Sequence, residues 1–149
     1  MSITKNILFI DDEKDITLTI KMILEQTGLY HVDTFNDPAV ALKRFKPNLY
    51  ALVIIDIMMP KMSGFELYEH LKKIDPYVEV CFLTASEMYH LKVREAEHCA
   101  LKEDLFFQKP ISAEDLIREI DKKISGPGFR LNTNQKILKE KEILVFATL

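Results

Sequence analysis

The chain has 149 residues, of which 48% are apolar and 29% charged, and its formal charge is −3. That length suits one domain with a self-sufficient core, and the composition is that of a soluble globular protein. No apolar run approaches the ~18 residues of a membrane span. Met1-Ser2-Ile3-Thr4-Lys5-Asn6 lacks the basic-then-apolar layout of a secretory signal, so a cytoplasmic location is expected. Charge is unevenly spread: 16 Lys and Arg oppose 21 Asp and Glu through Ile124, against 4 and 2 beyond it. Neither part is basic enough for a nucleic-acid footprint. Cys81 and Cys99 have no CxxC partner and read as reduced structural thiols.

Strand and helix signals alternate five times. The spacing predicts a strand over Asn6–Ile10, then a helix from Lys14 to Thr27 carrying Ile16, Ile20, Ile23 and Leu24 on one face. Gly28 reads as its C-cap signal. A second strand is expected at Tyr30–Phe35, and Asp37-Pro38 opens a helix as cap and first-turn proline, ending near Phe45 before Pro47. Tyr50–Ile55 reads as the third strand. The loop from Ile57 to Ser63 leads to a helix from Gly64 to Ile74, closed by Asp75-Pro76. A fourth strand at Val78–Leu83 precedes a helix from Ser86 to Cys99, and a fifth strand lies at Leu105–Gln108. The last helix starts at Ser112, with acids in its first turn, and carries Leu116, Ile117, Ile120 and Ile124. Repeated βα units of this length imply a parallel sheet with helices on both faces.

The polar residues that end these runs carry the chemistry. Asp11 and Asp12 follow strand one, Asp56 follows strand three, Thr84 follows strand four and Lys109 follows strand five. The runs are short and β-branched or aromatic, as strands buried on both faces are. If they are parallel, all these residues emerge at one carboxyl edge, where open α/β sheets bind ligands. Carboxylates gathered in a small cleft repel, and must take up protons or a cation. Oxygen-only ligands plus water suit Mg²⁺ better than zinc. His31, His70, His90 and His98 show no zinc spacing. A carboxylate beside such an ion is a plausible nucleophile toward phosphorus, with Lys109 and the Thr84 hydroxyl available to the equatorial oxygens. Ala85 leaves the approach open, and Pro60 and Gly64 shape a tight loop behind Asp56.

Asp-Asp after strand one, Asp-x-x-x-Pro-x-x-x-Gly from Asp56 to Gly64, Thr84-Ala85 and Lys109-Pro110 together resemble the receiver domain of two-component response regulators. The resemblance covers about Asn6 to Ile124. It implies an α/β, doubly wound, five-stranded parallel sheet of order 2-1-3-4-5, the flavodoxin-like receiver fold. It implies that residues 1–124 form the receiver and 125–149 a linker and short tail. Asp56 matches the phospho-acceptor that takes a phosphoryl group from a kinase phosphohistidine. Asp11, Asp12, Asp56 and the backbone carbonyl of Met58 match the Mg²⁺ ligands, with Mn²⁺ as an alternative ion. Thr84 and Lys109 match the residues that read the bound phosphoryl group, and Phe106 with Thr84 matches the switch pair. Lys109-Pro110 is expected cis.

The implied activity is a phosphorylation-controlled switch rather than an enzyme, remodelling the surface of the fourth helix, fifth strand and last helix. Its implied partners are a histidine kinase or phosphotransfer protein and an unidentified downstream protein. Homodimerisation stays open, and neither nucleic acid nor membrane is expected to bind. Three features depart from the family pattern. Lys102-Glu103-Asp104 replaces a small pair before strand five. Met58 and Ser86 flank the phosphoryl site, and Met58 cannot orient a water, so self-dephosphorylation is expected to be slow. The third is that no recognisable output domain, and no DNA-binding one, is expected after Ile124. Apart from these, Phe106 at the rotating aromatic position lacks a phenolic hydroxyl, so a different balance between its rotamers is expected.

Three other readings compete. A phosphatase with a covalent aspartyl phosphate would want an acid at position 58, which is Met58. A flavodoxin-like cofactor binder would want a Ser/Thr/Gly-rich loop where Asp11-Asp12-Glu13 stands. A scaffold receiver that is never phosphorylated would not need the complete residue set. Ser125-Gly126-Pro127-Gly128 reads as a linker. The apolar Ile143-Leu144-Val145-Phe146 beyond it would be costly to leave in water, which suggests docking on the receiver, pairing with another copy, or a longer output segment.

Overall fold

The computed structural model describes residues 4–84, 106–108 and 112–125. Their elements run β1 (Lys5–Ile10), α1 (Lys14–Gln26), β2 (Tyr30–Phe35), α2 (Pro38–Arg44), β3 (Leu52–Asp56), α3 (Gly64–Ile74), β4 (Val80–Thr84), β5 (Phe106–Gln108) and α4 (Ala113–Ser125). The five strands form one sheet in the order β2-β1-β3-β4-β5. Every pairing is parallel. This is the expected α/β architecture and strand order. The helix expected over 86–99, the Lys109-Pro110 bond and the tail beyond Ser125 lie outside the described residues.

Burial on both faces explains why the central strands read as unbroken apolar runs. Alternate residues point to opposite sides of a strand. Ile7, Phe9, Leu52, Ile54, Cys81 and Leu83 join one core with Ile20 and Leu24 of α1 and Leu116, Ile120 and Ile124 of α4. Leu8, Ile10, Val53, Ile55, Val80 and Phe82 join the other with Ala41 of α2 and Phe65, Leu67 and Leu71 of α3. Phe82 anchors this second layer, with the rings of Phe65 and Tyr68 at 4.8 and 5.4 Å. Each fully buried side chain of that size contributes roughly 1.5–3 kcal/mol.

Three helix starts follow their capping residues. The Asp37 carboxylate accepts from the Ala39 amide with Pro38 behind it, Ser63 Oγ accepts from Glu66 N and Ser112 Oγ from Asp115 N. Each such cap satisfies one of the amides a helix start leaves unpaired. Helix α1 differs: its N-cap residue, Glu13, makes no side-chain cap, and the Glu13 amide donates instead to Asp11 Oδ1. Further along α1, Lys21 Nζ donates to Glu25 Oε1 at 2.8 Å and to the Val32 carbonyl, and the same Glu25 oxygen accepts from Val32 N. The Lys21 ammonium is the main cause holding the Glu25 carboxyl below its usual range.

Strand three is shorter at its start than its sequence suggests. It begins at Leu52, not Tyr50, because the preceding turn is committed elsewhere. Asn48 sits at φ 64, a left-handed conformation open to asparagine. The Asn48 amide donates to Asp75 Oδ2, and the Tyr50 hydroxyl donates to Asp33 Oδ2. Its far end gains Asp56, which pairs with Leu83 of β4. The last helix runs to Ser125, one residue past the expected domain boundary.

Candidate functional site

Register brings the acidic residues together. Ile10 of β1 lies beside Ile55 of β3, so Asp11 and Asp56 come next on adjacent strands at the same level. Both are buried, at 0% and 4% exposure, whereas Asp12 is exposed. One carboxylate oxygen from each of Asp11, Asp12 and Asp56 lies within 4.8 Å of the other two. Residues 11 and 56 are thus gathered at the carboxyl edge of the sheet, where ligands bind in folds of this type.

The loop after β3 is built to hold Asp56 in place. The Ile57 amide donates to the Leu83 carbonyl, continuing the β3–β4 pairing past the strand, and the Ile57 carbonyl accepts from the Gly64 amide. Between these anchors, Met62 N donates to the Pro60 carbonyl around Lys61 at φ 72, which is a γ-turn. Helix α3 therefore begins against the backbone of the Asp56-Ile57 peptide. Met58 projects from this loop with 59% of its surface exposed, while Met59 is buried.

On the other side, the Asp11-Asp12 turn is held from three directions. Asp11 N donates to the Phe35 carbonyl. Asp11 Oδ1 accepts from the Glu13 amide at 2.9 Å. The Asp11 carbonyl accepts from Asn36 Nδ2 at 2.8 Å, and the same nitrogen donates to Thr17 Oγ1 at 3.0 Å. Neither Asn36 nor Thr17 stands out in the sequence. Asn36-Asp37-Pro38 reads only as a turn and cap string, although the strand order places the end of β2 directly beside the end of β1.

The remaining expected site residues are placed by backbone alone or lie outside the described residues. Thr84 ends β4 beside Gln108, one step beyond the Leu83–Asp56 pair. Phe106 opens β5 opposite Phe82. Lys109, Pro110 and Ser86 are not among the described residues. The structure thus brings together three of the expected metal ligands and puts the strand carrying Thr84 next to that of Asp56.

A set of carboxylate oxygens at this spacing, two of them buried, fits a hard divalent cation such as Mg²⁺ better than a soft one. Among the described residues no other group of His, Cys, Asp or Glu is disposed to hold a metal ion. Comparison with known proteins agrees with this geometry. The response regulator receiver domain profile matches residues 7–121. The chain belongs to the response regulator receiver family.

Within this receiver family, the chain is 32% identical over 118 residues to the response regulator receiver protein CpdR of Brucella abortus, covering 79% of this chain and 95% of CpdR. It is 30% identical over 147 residues to the transcriptional regulatory protein DltR of Streptococcus agalactiae, but spans only 64% of that protein. Among solved structures, the non-phosphorylated HemR receiver domain of Leptospira biflexa superposes with a TM-score of 0.69 at 26% identity, covering 87% of this chain and 99% of HemR. The response regulator TrrA of Thermotoga maritima, solved in complex with Mg²⁺ and BeF, gives 0.66 at 30% identity, covering 80% and 99%. Receiver domains of this kind belong to two-component signalling and act as phosphorylation-controlled switches.

Proposed function

We propose that this receiver accepts a phosphoryl group on Asp56 from the phosphohistidine of a histidine kinase or phosphotransfer protein, and uses it to bias a binding surface. The observation that carries the reading is the convergence of Asp11, Asp12 and Asp56 within 4.8 Å at one sheet edge. Asp11, Asp12, Asp56 and the Met58 carbonyl would hold Mg²⁺, which when bound neutralises the charge of the carboxylates and of the incoming phosphate.

Asp56 is the nucleophile. A carboxylate oxygen forms the new O–P bond while the P–N bond to the donor imidazole breaks, its electron pair leaving on nitrogen. The reading is supported by the burial of Asp56 and by the Gly64 N to Ile57 carbonyl hydrogen bond, which restrain the strand end that carries it, because positioning is most of what phosphoryl transfer asks of a protein. The Glu13 amide donates to one carboxylate oxygen of Asp11, so the backbone directs that side chain within the turn. Thr84 and Lys109 take the roles of hydroxyl and cation toward the new phosphoryl oxygens. Phe106 responds to the Thr84 movement, and the surface of the helix expected over 86–99, β5 and α4 is presented to a downstream protein. The phosphoryl group biases the active state only as far as it makes better contacts there.

The phosphatase alternative has less support, since position 58 carries the exposed thioether of Met58 in place of an acid. The deciding experiment incubates the full chain with acetyl phosphate and Mg²⁺ and reads intact mass. Wild type should gain one phosphoryl group and Asp56→Asn none. Label retained in Asp56→Asn, or mapped to another residue, would overturn the assignment.

A further inference from the structure

We propose that Asn36 is a positioning residue for the acidic site, clasping the peptide that joins Asp11 to Asp12 and tying it to Thr17. The inference rests on the phospho-acceptor reading above and adds a residue to it. Three observations carry it. Asn36 Nδ2 reaches the Asp11 carbonyl at 2.8 Å across a separation of 25 residues. The same nitrogen reaches Thr17 Oγ1 at 3.0 Å. Thr17 is 1% exposed, and its hydroxyl donates to the Lys14 carbonyl at 3.0 Å.

The network fixes its own hydrogen directions. A hydroxyl already donating its one proton to Lys14 can only accept from Asn36, and a backbone carbonyl can only accept. Both partners therefore need a donor, which orients the Asn36 amide with its NH₂ group toward them and uses both of its protons. An aspartate would present two acceptors to two acceptors, and an alanine would leave the Asp11 carbonyl without this bond.

The consequence follows from which carbonyl is held. The Asp11 carbonyl belongs to the peptide plane leading into Asp12, so its orientation sets the direction in which the Asp12 backbone departs. Asp11 is held at its amide, its carboxylate and its carbonyl, whereas Asp12 is exposed. The Asp12 carboxylate reaches within 4.8 Å of the other two as part of that restrained turn. Asn36, on a neighbouring strand end, thereby pre-sets the spacing of the carboxylates toward a divalent cation without touching it. Outer partners that orient ligands act this way in metal sites generally.

The test measures Mg²⁺ affinity of the full chain by calorimetry, thermal stability without metal, and the Mg²⁺ dependence of phosphorylation by acetyl phosphate. Asn36→Ala should raise the Mg²⁺ concentration for half-saturation about fivefold, the worth of one hydrogen bond. The rate at saturating Mg²⁺ should stay near that of wild type. Thr17→Val, which keeps the buried shape but removes the acceptor, should shift the same quantity in the same direction, and Thr17→Ser should restore it. Folded variants with wild-type Mg²⁺ affinity would overturn the clasp, as would a loss of metal-free stability with unchanged Mg²⁺ dependence. A wild-type chain that takes no phosphoryl group on Asp56 would instead sink the proposed function, and this role with it.

Discussion

Gly64 and Asp56 touch through their backbones. A Cβ placed on Gly64 would fall 2.5 Å from the Asp56 carbonyl oxygen and 2.9 Å from the Ile57 Cα. The first residue of α3 thus closes directly on the end of the strand that carries the acidic group, through the Gly64 N to Ile57 carbonyl hydrogen bond at 3.0 Å. A side chain cannot enter that space without moving backbone on one side or the other.

Gly64→Ala is therefore expected to cost about 1–3 kcal/mol, the usual penalty of overpacking. Displacement of the Asp56-Ile57 peptide should also slow phosphorylation. Denaturant midpoints and acetyl phosphate labelling check both. An alanine variant with wild-type stability would mean that the α3 start yields easily.

Asp56→Asn should have the opposite effect on the metal-free protein. Unit charges 4 Å apart repel by about 4 kcal/mol at an effective dielectric near 20. Because Asp12 is exposed, solvent and salt screen its share, and a net gain of about 1–2 kcal/mol is expected. Added Mg²⁺ should stabilise wild type more than the variant, since a ligand stabilises only the state that binds it. Thermal melts with and without Mg²⁺ read out both, and a less stable metal-free Asp56→Asn would show that crowding is not the dominant cost.

Met58 bears on the lifetime of the phosphorylated state. Its thioether is a weak acceptor that cannot orient an attacking water, although its 59% exposure leaves room for one. Loss of the phosphoryl group from Asp56 should be slow, and Met58→Asn should hasten it by about 10-fold, equivalent to ~1.4 kcal/mol of barrier. Phosphate release at neutral pH measures this. A wild-type half-life of seconds would contradict the expectation.

The hydroxyl of Tyr50 donates to Asp33 Oδ2 at 2.8 Å. Burial first, then this hydrogen bond and the Asp33 charge, push the Tyr50 hydroxyl above its ordinary value of 10.0. The folded state thus holds this proton more tightly than the unfolded chain. The stabilisation is complete below pH 10, the unfolded value, and fades as pH rises toward the higher folded value. Tyr50→Phe should cost about 1 kcal/mol at neutral pH. The gap between variant and wild type should narrow in alkali, and urea melts at pH 7 and pH 11 would show a constant gap if the hydroxyl plays no part.

Strand and helix identity was legible because local chemistry decides it. Tyr30–Phe35 and Gly64–Ile74 form over the expected residues, since Asp37-Pro38, Ser63 and Asp75 punctuate the chain through hydrogen bonds within a few residues. β4 begins at Val80 rather than the expected Val78, whose amide is taken locally by the Asp75 carbonyl, whereas at the start of β3 long-range bonds compete. Tyr50 is drawn off β3 by Asp33, 17 positions away, and Asn48 by Asp75, 27 away. The Asn36 hydrogen bond to the Asp11 carbonyl is illegible in the sequence for the same reason as those at the start of β3, because no local pattern signals a partner on another strand.

The pattern of apolar runs ended by acids determined by itself that Asp11, Asp12 and Asp56 would leave a parallel sheet at one edge. Alternation, turn chemistry and the handed connection between parallel strands leave few other arrangements. Only the tertiary structure decided how closely those carboxylates approach, which is buried and which is exposed, and what holds them. Those properties depend on inter-strand register and on hydrogen bonds such as Asn36 to Asp11, which form between segments that meet only when the chain has folded.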